Sequence, residues 1–487
     1  MISSGRATLL NSPDSYRDTK AGNIKMKKKI LYIISGLFIT GVLQAQVKSL
    51  PALQVSANGR FFQTSQGKPF FWLGDTGWLL FVKCNREETV QYLQTRKEQG
   101  YNVVQVMVLH DLAAAKNVYG DSALVNQNAG DPVITKGNSF LDSVAYDFWD
   151  HVDFVIDEAA KRGIYMALVP IWGSNVKAGK VSVKQAETYT KFLANRYKTK
   201  SNIIWLNGGD IKGVDGLEVW KTIGNTLRKY DTKHLITFHP RGRNSSSAWF
   251  HKENWMDFNM FQSGHRTYAQ DTSSNETLHY GEDNWRYVSN DYNLKPVKPT
   301  LDGEPSYENI PHGLHDSTLP RWKDADLRRY AYWSVFAGGA GFTYGENSIM
   351  QFHTSGDTDA NFGANKNWKE TIYAPGAAQM QHLKKLMLSK NYFSRTPAQE
   401  IIAGNDEDKY NYILATKGRN YAMVYTFTGK SFKVDLSKLK VKVSKLSWFN
   451  PTDGTIVNSR AITEKEIIEV DPPGEQKSGN DWVLIIE

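Results

Sequence analysis

Two acidic residues end apolar runs in glycine-rich settings. Asp210 closes Leu206-Asn207-Gly208-Gly209-Asp210, and Glu304 sits within Asp302-Gly303-Glu304-Pro305. A run of core-type residues that stops at a carboxylate places the acid where the core ends, and neighbouring glycines let a ligand approach the backbone. Two carboxylates that flank one glycosidic bond can cleave it: one protonates the leaving oxygen and the other attacks the anomeric carbon. We read Asp210 as the acid/base and Glu304 as the nucleophile; Asp302, two residues earlier, lies deeper on its strand. Other apolar runs close on groups suited to sugar hydroxyls (Asp75, His110, Asn207, His239, Gln262 and His265) or to stacking on a sugar ring (Trp78, Trp172 and Tyr344). Glu346 is a third rim carboxylate and a rival for either catalytic role. Tyr307, Glu308 and His312 follow the nucleophile and are candidates for lining a pocket.

These residues need a scaffold that brings eight strand ends to one rim. Strand-like apolar runs are predicted at 71–78, 103–109, 165–172, 203–210, 235–240, 258–265, 299–305 and 341–347. Helical patterns at 86–99, 148–162, 183–198, 217–230, 325–337 and 377–388 fall between or after them, two ending at Gly100 and Gly163 in C-cap fashion. The segments on either side of the sixth strand carry poorly written helices. Eight alternations predict an α/β fold, a (β/α)8 TIM barrel with its site at the C-terminal strand ends, where strands four and seven face each other across the mouth. A doubly wound sheet would carry a Gly-rich phosphate loop after its first strand, and none is present. Beyond residue 392 the pattern changes to short β stretches separated by turns such as Pro451-Thr452-Asp453-Gly454, which predicts a small β-sandwich. The expected division is a leader at 1–45, a catalytic barrel at 46–391 and an accessory sandwich at 392–487.

Composition narrows the function classes. Hydrophobic residues make up 40% and charged residues 22% of 487 positions, against a disordered chain or a polytopic membrane protein. The 14 Trp, 24 Tyr and 22 Phe suit both a large core and a carbohydrate surface. Cys84 is the single cysteine, so no intrachain disulfide forms, and the 11 histidines show no metal-ligand spacing; neither metal nor cofactor is expected. Net charge is +9, of which residues 1–45 carry +5; the modest balance elsewhere does not suggest a nucleic-acid partner. Lys27-Lys28-Lys29, the apolar run 30–43 and Ala45 read as a secretory signal peptide, with Met26 as the expected start. The run is short for a membrane-spanning helix, so no stable membrane insertion is expected after cleavage, and the mature protein is expected to be secreted or periplasmic.

The barrel resembles clan A glycoside hydrolases, whose catalytic acids follow strands four and seven. More closely, it is similar to the apiosidase-like family (glycoside hydrolase family 140 and relatives) in GRFFQTSQGKPFFWLGDTGW at 59–78, NIIWLNGGD at 202–210, DFNMFQSGH at 257–265, LDGEPSYENIP at 301–311 and GFTYGENSI at 341–349. The resemblance implies Asp210 as acid/base, Glu304 as nucleophile, a retaining mechanism and a substrate like the apiosyl linkage of pectin (rhamnogalacturonan-II). A typical clan A member has Asn-Glu at strand four; the shorter acid here follows the family. WFNPTDG at 448–454 and DWVLIIE at 481–487 resemble the small domain that accompanies this barrel, which bears an inherited collagen-binding label. Segments 117–139 and 268–293 are where specificity would be rewritten. Another clan A-like glycosidase on a different β-linked glycan, or a non-catalytic glycan-binding surface protein, are the competing readings; the second would be marked by loss of one carboxylate, and both are present.

Overall fold

The computed structural model describes residues 50–274, 276–404, 407–439, 443–463 and 466–487. The predicted leader, with its signal peptide and Met26 start, lies outside them.

Eight parallel strands form the barrel: β1 (Trp72–Thr76), β2 (Val103–Leu109), β3 (Tyr165–Ile171), β4 (Ile203–Ile211), β5 (Ile236–Pro240), β6 (Asn259–Gln262), β7 (Thr300–Asp302) and β8 (Gly341–Tyr344). Their order is β5-β4-β3-β2-β1-β8-β7-β6, extended by the short antiparallel strand Asn244–Ser245 on β6. The remaining seam between β5 and β6 is spanned by the Asp257 N–H to the Ile236 carbonyl at 2.8 Å and by Thr237 Oγ1 to the Phe258 carbonyl at 2.6 Å. The architecture is thus the expected α/β barrel, nearly closed.

Helices α1 (Arg86–Glu98), α2 (Phe148–Lys161), α3 (Val183–Tyr197), α4 (Leu217–Tyr230), α5 (Trp285–Tyr292), α6 (Asp324–Phe336) and α7 (Pro375–Leu388) surround the strands. Local chemistry starts the early ones. Asn85 with Glu88, Asp147 with Asp150, and Ser182 with Gln185 form reciprocal capping boxes that satisfy otherwise orphaned N–H groups. Among the described residues the two poorly written segments hold only the four-residue helix Ser247–Phe250, a 3-10 turn at Tyr268–Gln270 and the eight-residue α5. A small N-terminal sheet (Leu53–Val55, Phe62–Thr64 and Pro69–Phe70), not anticipated from the sequence, covers the barrel bottom. There Phe62 meets Phe258 edge-on at 5.0 Å.

The C-terminal part folds as two packed antiparallel sheets. One contains β9 (Thr396–Pro397), β11 (Leu414–Lys417), β12 (Ala422–Thr426), β14 (Lys445–Phe449), β15 (Ile456–Ala461) and β17 (Trp482–Ile486); the other contains β10 (Ile402–Ala403), β13 (Phe432–Asp435) and β16 (Ile467–Val470). Val424, Val434, Trp448, Ile468 and Leu484 share their core. This sandwich packs on α5 and α6. Tyr332 stacks on Tyr425 with centroids 4.8 Å apart, Trp285 stacks on Tyr412 at 4.4 Å, and Arg328 binds Asp481 through Nε and Nη2 at 2.8–3.1 Å. Among the described residues no helix is long and apolar enough to cross a membrane.

Candidate active site

Asp210 owes its position to a break in β4. Gly208 pairs with His239 on β5 and Ile211 pairs with the next residue, Pro240, so Gly209 and Asp210 are extra residues on β4. A bulge of this kind re-aims a side chain at a sheet's end. Gly209 has φ +112°, and a Cβ there would lie 2.5 Å from the Trp172 ring, so no other residue fits. Asp210 follows at φ +47°, a left-handed conformation that Asp tolerates better than most residues.

Glu304 is set by a brace beneath it. Asp302 is fully buried, and four donors converge on its carboxylate: Ser263 Oγ at 2.6 Å, Asn284 Nδ2 at 3.0 Å, the Glu304 N–H at 3.3 Å and the Ser263 N–H at 3.4 Å. The ends of β6 and β7 are thereby held together. A Cβ on Gly303 would lie 2.4 Å from Met260 Sδ, so glycine is what lets β7 approach β6 here.

Two imidazoles face the Glu304 carboxylate. His265 Nε2 donates to Oε1 at 3.1 Å, and His239 Nε2 lies 3.3 Å from Oε2. The Asp210 N–H points at His239 Nδ1 at 3.5 Å, which makes Nδ1 the acceptor and leaves the proton on Nε2, facing Glu304. Burial lowers the His239 pKa, in keeping with a neutral ring. Trp78 packs edge-on against His239 at 5.3 Å, lies 5.3 Å from Trp172, and donates from Nε1 to the Tyr307 hydroxyl at 3.2 Å.

The proton affinities of the two carboxyls diverge. Burial and the Glu304 charge push Asp210 up to about 7, although Arg241, the Gly242 N–H and the Gln262 side chain pull the other way. Burial also pushes Glu304 up, but the His265 hydrogen bond and the imidazoles of His239 and His265 facing its carboxylate, with Tyr307, bring it below the usual value. One group that keeps its proton and one that sheds it, on a single cavity, have the proton affinities that an acid and a base or nucleophile need in a polar bond cleavage.

That cavity measures about 290 Å³. Asp210, Glu304, Trp78, His110, Trp172, Gln262, His265 and Tyr307 line it, and His239 lies directly behind Glu304. Besides His239, six residues expected at the site do not line it. Asp75 is wholly buried on the outer face of β1, bound to Arg96 Nε at 2.6 Å and the Tyr92 hydroxyl at 2.5 Å, because Gly74 and Thr76 take the inward positions. Asn207 points outward from β4 and donates to the Trp220 carbonyl on α4 at 2.8 Å. Tyr344 lies under the helices and donates to Glu308 at 2.6 Å, which also removes Glu308 from the cavity. Glu346 is buried and caps the short helix Asn347–Met350 through the N–H groups of Ser348 and Ile349 at 2.8 and 2.9 Å. His312 packs on Trp322 outside the cavity.

Sequence reasoning missed Met107, which points inward from β2, and Gln351, Asn361 and Phe362, supplied by the loop after β8. No periodicity marks loop residues. The Arg241-Gly242-Arg243 stretch directly after β5 was the available signal for a second, adjoining compartment. Among the described residues no His, Cys, Asp and Glu cluster could hold a metal ion.

Residues 56–394 match the family described as "Apiosidase-like, catalytic domain", and residues 396–487 match "Putative collagen-binding domain of a collagenase". A solved structure titled "Glycoside hydrolase" is 44% identical, with TM-score 0.83, covering 90% of this chain and 96% of that one. A glycoside hydrolase family 5 structure from Bacteroides vulgatus is 43% identical, with TM-score 0.84, covering 90% and 93%. A further structure from the same species, titled "a putative glycoside hydrolase", shares the fold at TM-score 0.62 with 14% identity, covering 91% and 83%. No curated protein matches.

Proposed function

This chain belongs to the apiosidase-like family of glycoside hydrolases, and from that premise we propose that it is a secreted, retaining enzyme of plant polysaccharide breakdown that removes apiose from pectin side chains, with Asp210 as acid/base and Glu304 as nucleophile. The observation that carries the catalytic reading is the pair of carboxyls on one cavity with opposite proton affinities.

The chemistry follows from the geometry. Glu304, ionised and steadied by His265 and His239, attacks the anomeric carbon as Asp210 gives its proton to the departing oxygen. The sugar is then held as an ester on Glu304. Asp210, now ionised, takes a proton from water, which displaces Glu304 and restores both groups. Trp78 and Trp172 supply apolar faces for the ring, and His110 and Gln262 supply polar groups at its edge. No cofactor enters these steps. Secretion rests on the basic-then-apolar leader at 27–45.

The test is hydrolysis of a panel of pectic and other plant glycans by the mature chain beside Glu304→Gln and Asp210→Asn, with released sugars and their anomeric form identified. Apiose released with retained configuration by the wild type, and lost by at least about 10³-fold in Glu304→Gln, is the expected outcome. Another sugar, lost in the same variants, would keep the residue roles and replace the substrate. Hydrolysis that survives either substitution would overturn that residue's role, and binding without hydrolysis would favour a glycan-binding protein.

A further inference from the structure

One polar side chain stands inside the barrel on a strand that is otherwise apolar. β2 reads Val103-Val104-Gln105-Val106-Met107-Val108-Leu109, and all seven residues are buried. Val104, Val106 and Val108 pack with the surrounding helices, whereas Val103 and Met107 pack in the interior. Alternation along the strand puts Gln105 in the interior too, one layer below Met107, which lines the cavity. Gln105 Nε2 donates to the Gly303 carbonyl at 2.8 Å. β1 and β8 lie between β2 and β7 in the sheet, so this bond runs across the barrel rather than along it.

What it grips is the peptide unit that carries Glu304. The Gly303 carbonyl and the Glu304 N–H belong to one planar group, and the Glu304 Cα is a corner of that plane. Gln105 holds the oxygen, and Asp302 Oδ1 accepts from the N–H at 3.3 Å. The preceding peptide is tied by the Gly303 N–H to the Phe261 carbonyl at 2.8 Å. Close packing of β7 on β6 demands glycine at 303, since a Cβ would lie 2.4 Å from Met260 Sδ. Glycine, however, leaves the backbone torsions loosely restrained. The restraint must come from outside the segment, and Gln105 supplies it from another wall of the barrel.

Packing alone does not account for an amide at this place. Gln105 Oε1 is buried and has no hydrogen-bond partner among the described residues. An unanswered buried acceptor is a cost that methionine or leucine would avoid, so the contribution of the amide is its donor. Gln105 does not line the cavity, and it acts through the residues it holds.

We propose that Gln105 is a positioning residue for Glu304. It fixes the Gly303–Glu304 peptide and so keeps the carboxylate between His265 at 3.1 Å and His239 at 3.3 Å. The consequence for rate rests on the reading of Glu304 as the nucleophile; the consequence for where Glu304 sits does not. A reacting group misplaced by about 1 Å can cost about 10²-fold in rate.

Two substitutions separate the donor from the space it fills. Gln105→Met nearly keeps the volume and removes the donor. Gln105→Glu keeps the shape and, at pH 5, where burial holds the new carboxyl protonated, donates to Gly303 again. Crystal structures of both variants beside wild type should show Glu304 moved out of hydrogen-bond reach of His265 in Gln105→Met and in place in Gln105→Glu at pH 5. On the glycan that the panel identifies, kcat should fall about 10²-fold in Gln105→Met with KM unchanged, the acidic limb of the pH profile should move to higher pH, and Gln105→Glu at pH 5 should recover most of the rate. Should Gln105→Met fail to fold, Gln105→Asn, whose amide is one methylene short of the Gly303 carbonyl, is read in the same two ways. An unmoved Glu304, or a thermal midpoint that drops while kcat per folded molecule holds, would overturn the positioning role and make Gln105 a packing residue. A displaced Glu304 with turnover intact would overturn the consequence for rate. The crystallographic comparison needs no substrate, so it decides the placement of Glu304 whatever the panel releases. Activity that survives Glu304→Gln would overturn the nucleophile and leave that placement standing.

Discussion

His265 and His239 both face Glu304, yet the consequences of losing them differ. His265 makes the aligned hydrogen bond, whereas His239 also receives the Asp210 N–H and so touches both carboxyl residues. The hydrogen bond from His265 is the leading influence that holds Glu304 down against burial. We expect kcat/KM to rise with pH as Glu304 ionises, below the ordinary glutamate value, and to fall as Asp210 loses its proton near 7. His265→Ala should cut kcat by roughly 10–100-fold, the worth of a hydrogen bond to a charged group. It should also move the acidic limb of the profile to higher pH while leaving the basic limb in place. A profile whose acidic limb does not move would show that His265 does not tune Glu304.

At the scale of elements, the apolar runs and capping residues made the strands and helices legible, and the helix starts at Asn85, Asp147 and Ser182 follow from side chains on the page of the sequence itself. What could not be read was which way a strand-end residue faces. Asp75 and Asn207 both close apolar runs, but alternation along β1 and β4 turns them to the helices, and the bulge that turns Asp210 inward depends on pairing with β5. Glu346 shows the same limit: its type and its place at the rim suggested catalysis, and its surroundings make it a helix cap. Burial pushes Glu346 up to about 7. A carboxyl whose folded pKa exceeds its unfolded one costs nothing at low pH and destabilises progressively as pH rises through the interval, here from about 4.5 to about 7. Glu346→Gln, still able to accept from Ser348 and Ile349, should therefore gain on the order of 3 kcal/mol relative to wild type between pH 4 and pH 8. Denaturant unfolding at the two pH values checks this; an unchanged difference would mean that Glu346 ionises freely in the folded protein.

For the molecule as a whole, the contact between barrel and sandwich is built from buried charge. Arg328 on α6 meets Asp481, where Tyr425 also donates at 3.3 Å, and Arg329 meets Glu282 at 2.5 Å, with Tyr410 donating to the same carboxylate at 2.8 Å. Arg395, from the junction, donates to the Val335 and Gly339 carbonyls. Asp481→Ala takes from the buried Arg328 its partner at Nε and Nη2 and leaves only Asp324 and Gln379 at Nη1, so it should cost about 3 kcal/mol while KM of the remaining folded enzyme stays unchanged. Calorimetry of the wild type should give one unfolding transition; two separate transitions would show that the halves melt independently. There is also a consequence for heredity. A domain joined through water-exposed surface can be traded between genes like a cassette. Here, a crossover near residue 395 would part Arg328 from Asp481 and leave that buried carboxylate with no guanidinium to answer it. The two halves are therefore expected to be inherited together, and variation to accumulate in the loops around the mouth, where an altered residue has only a sugar to satisfy.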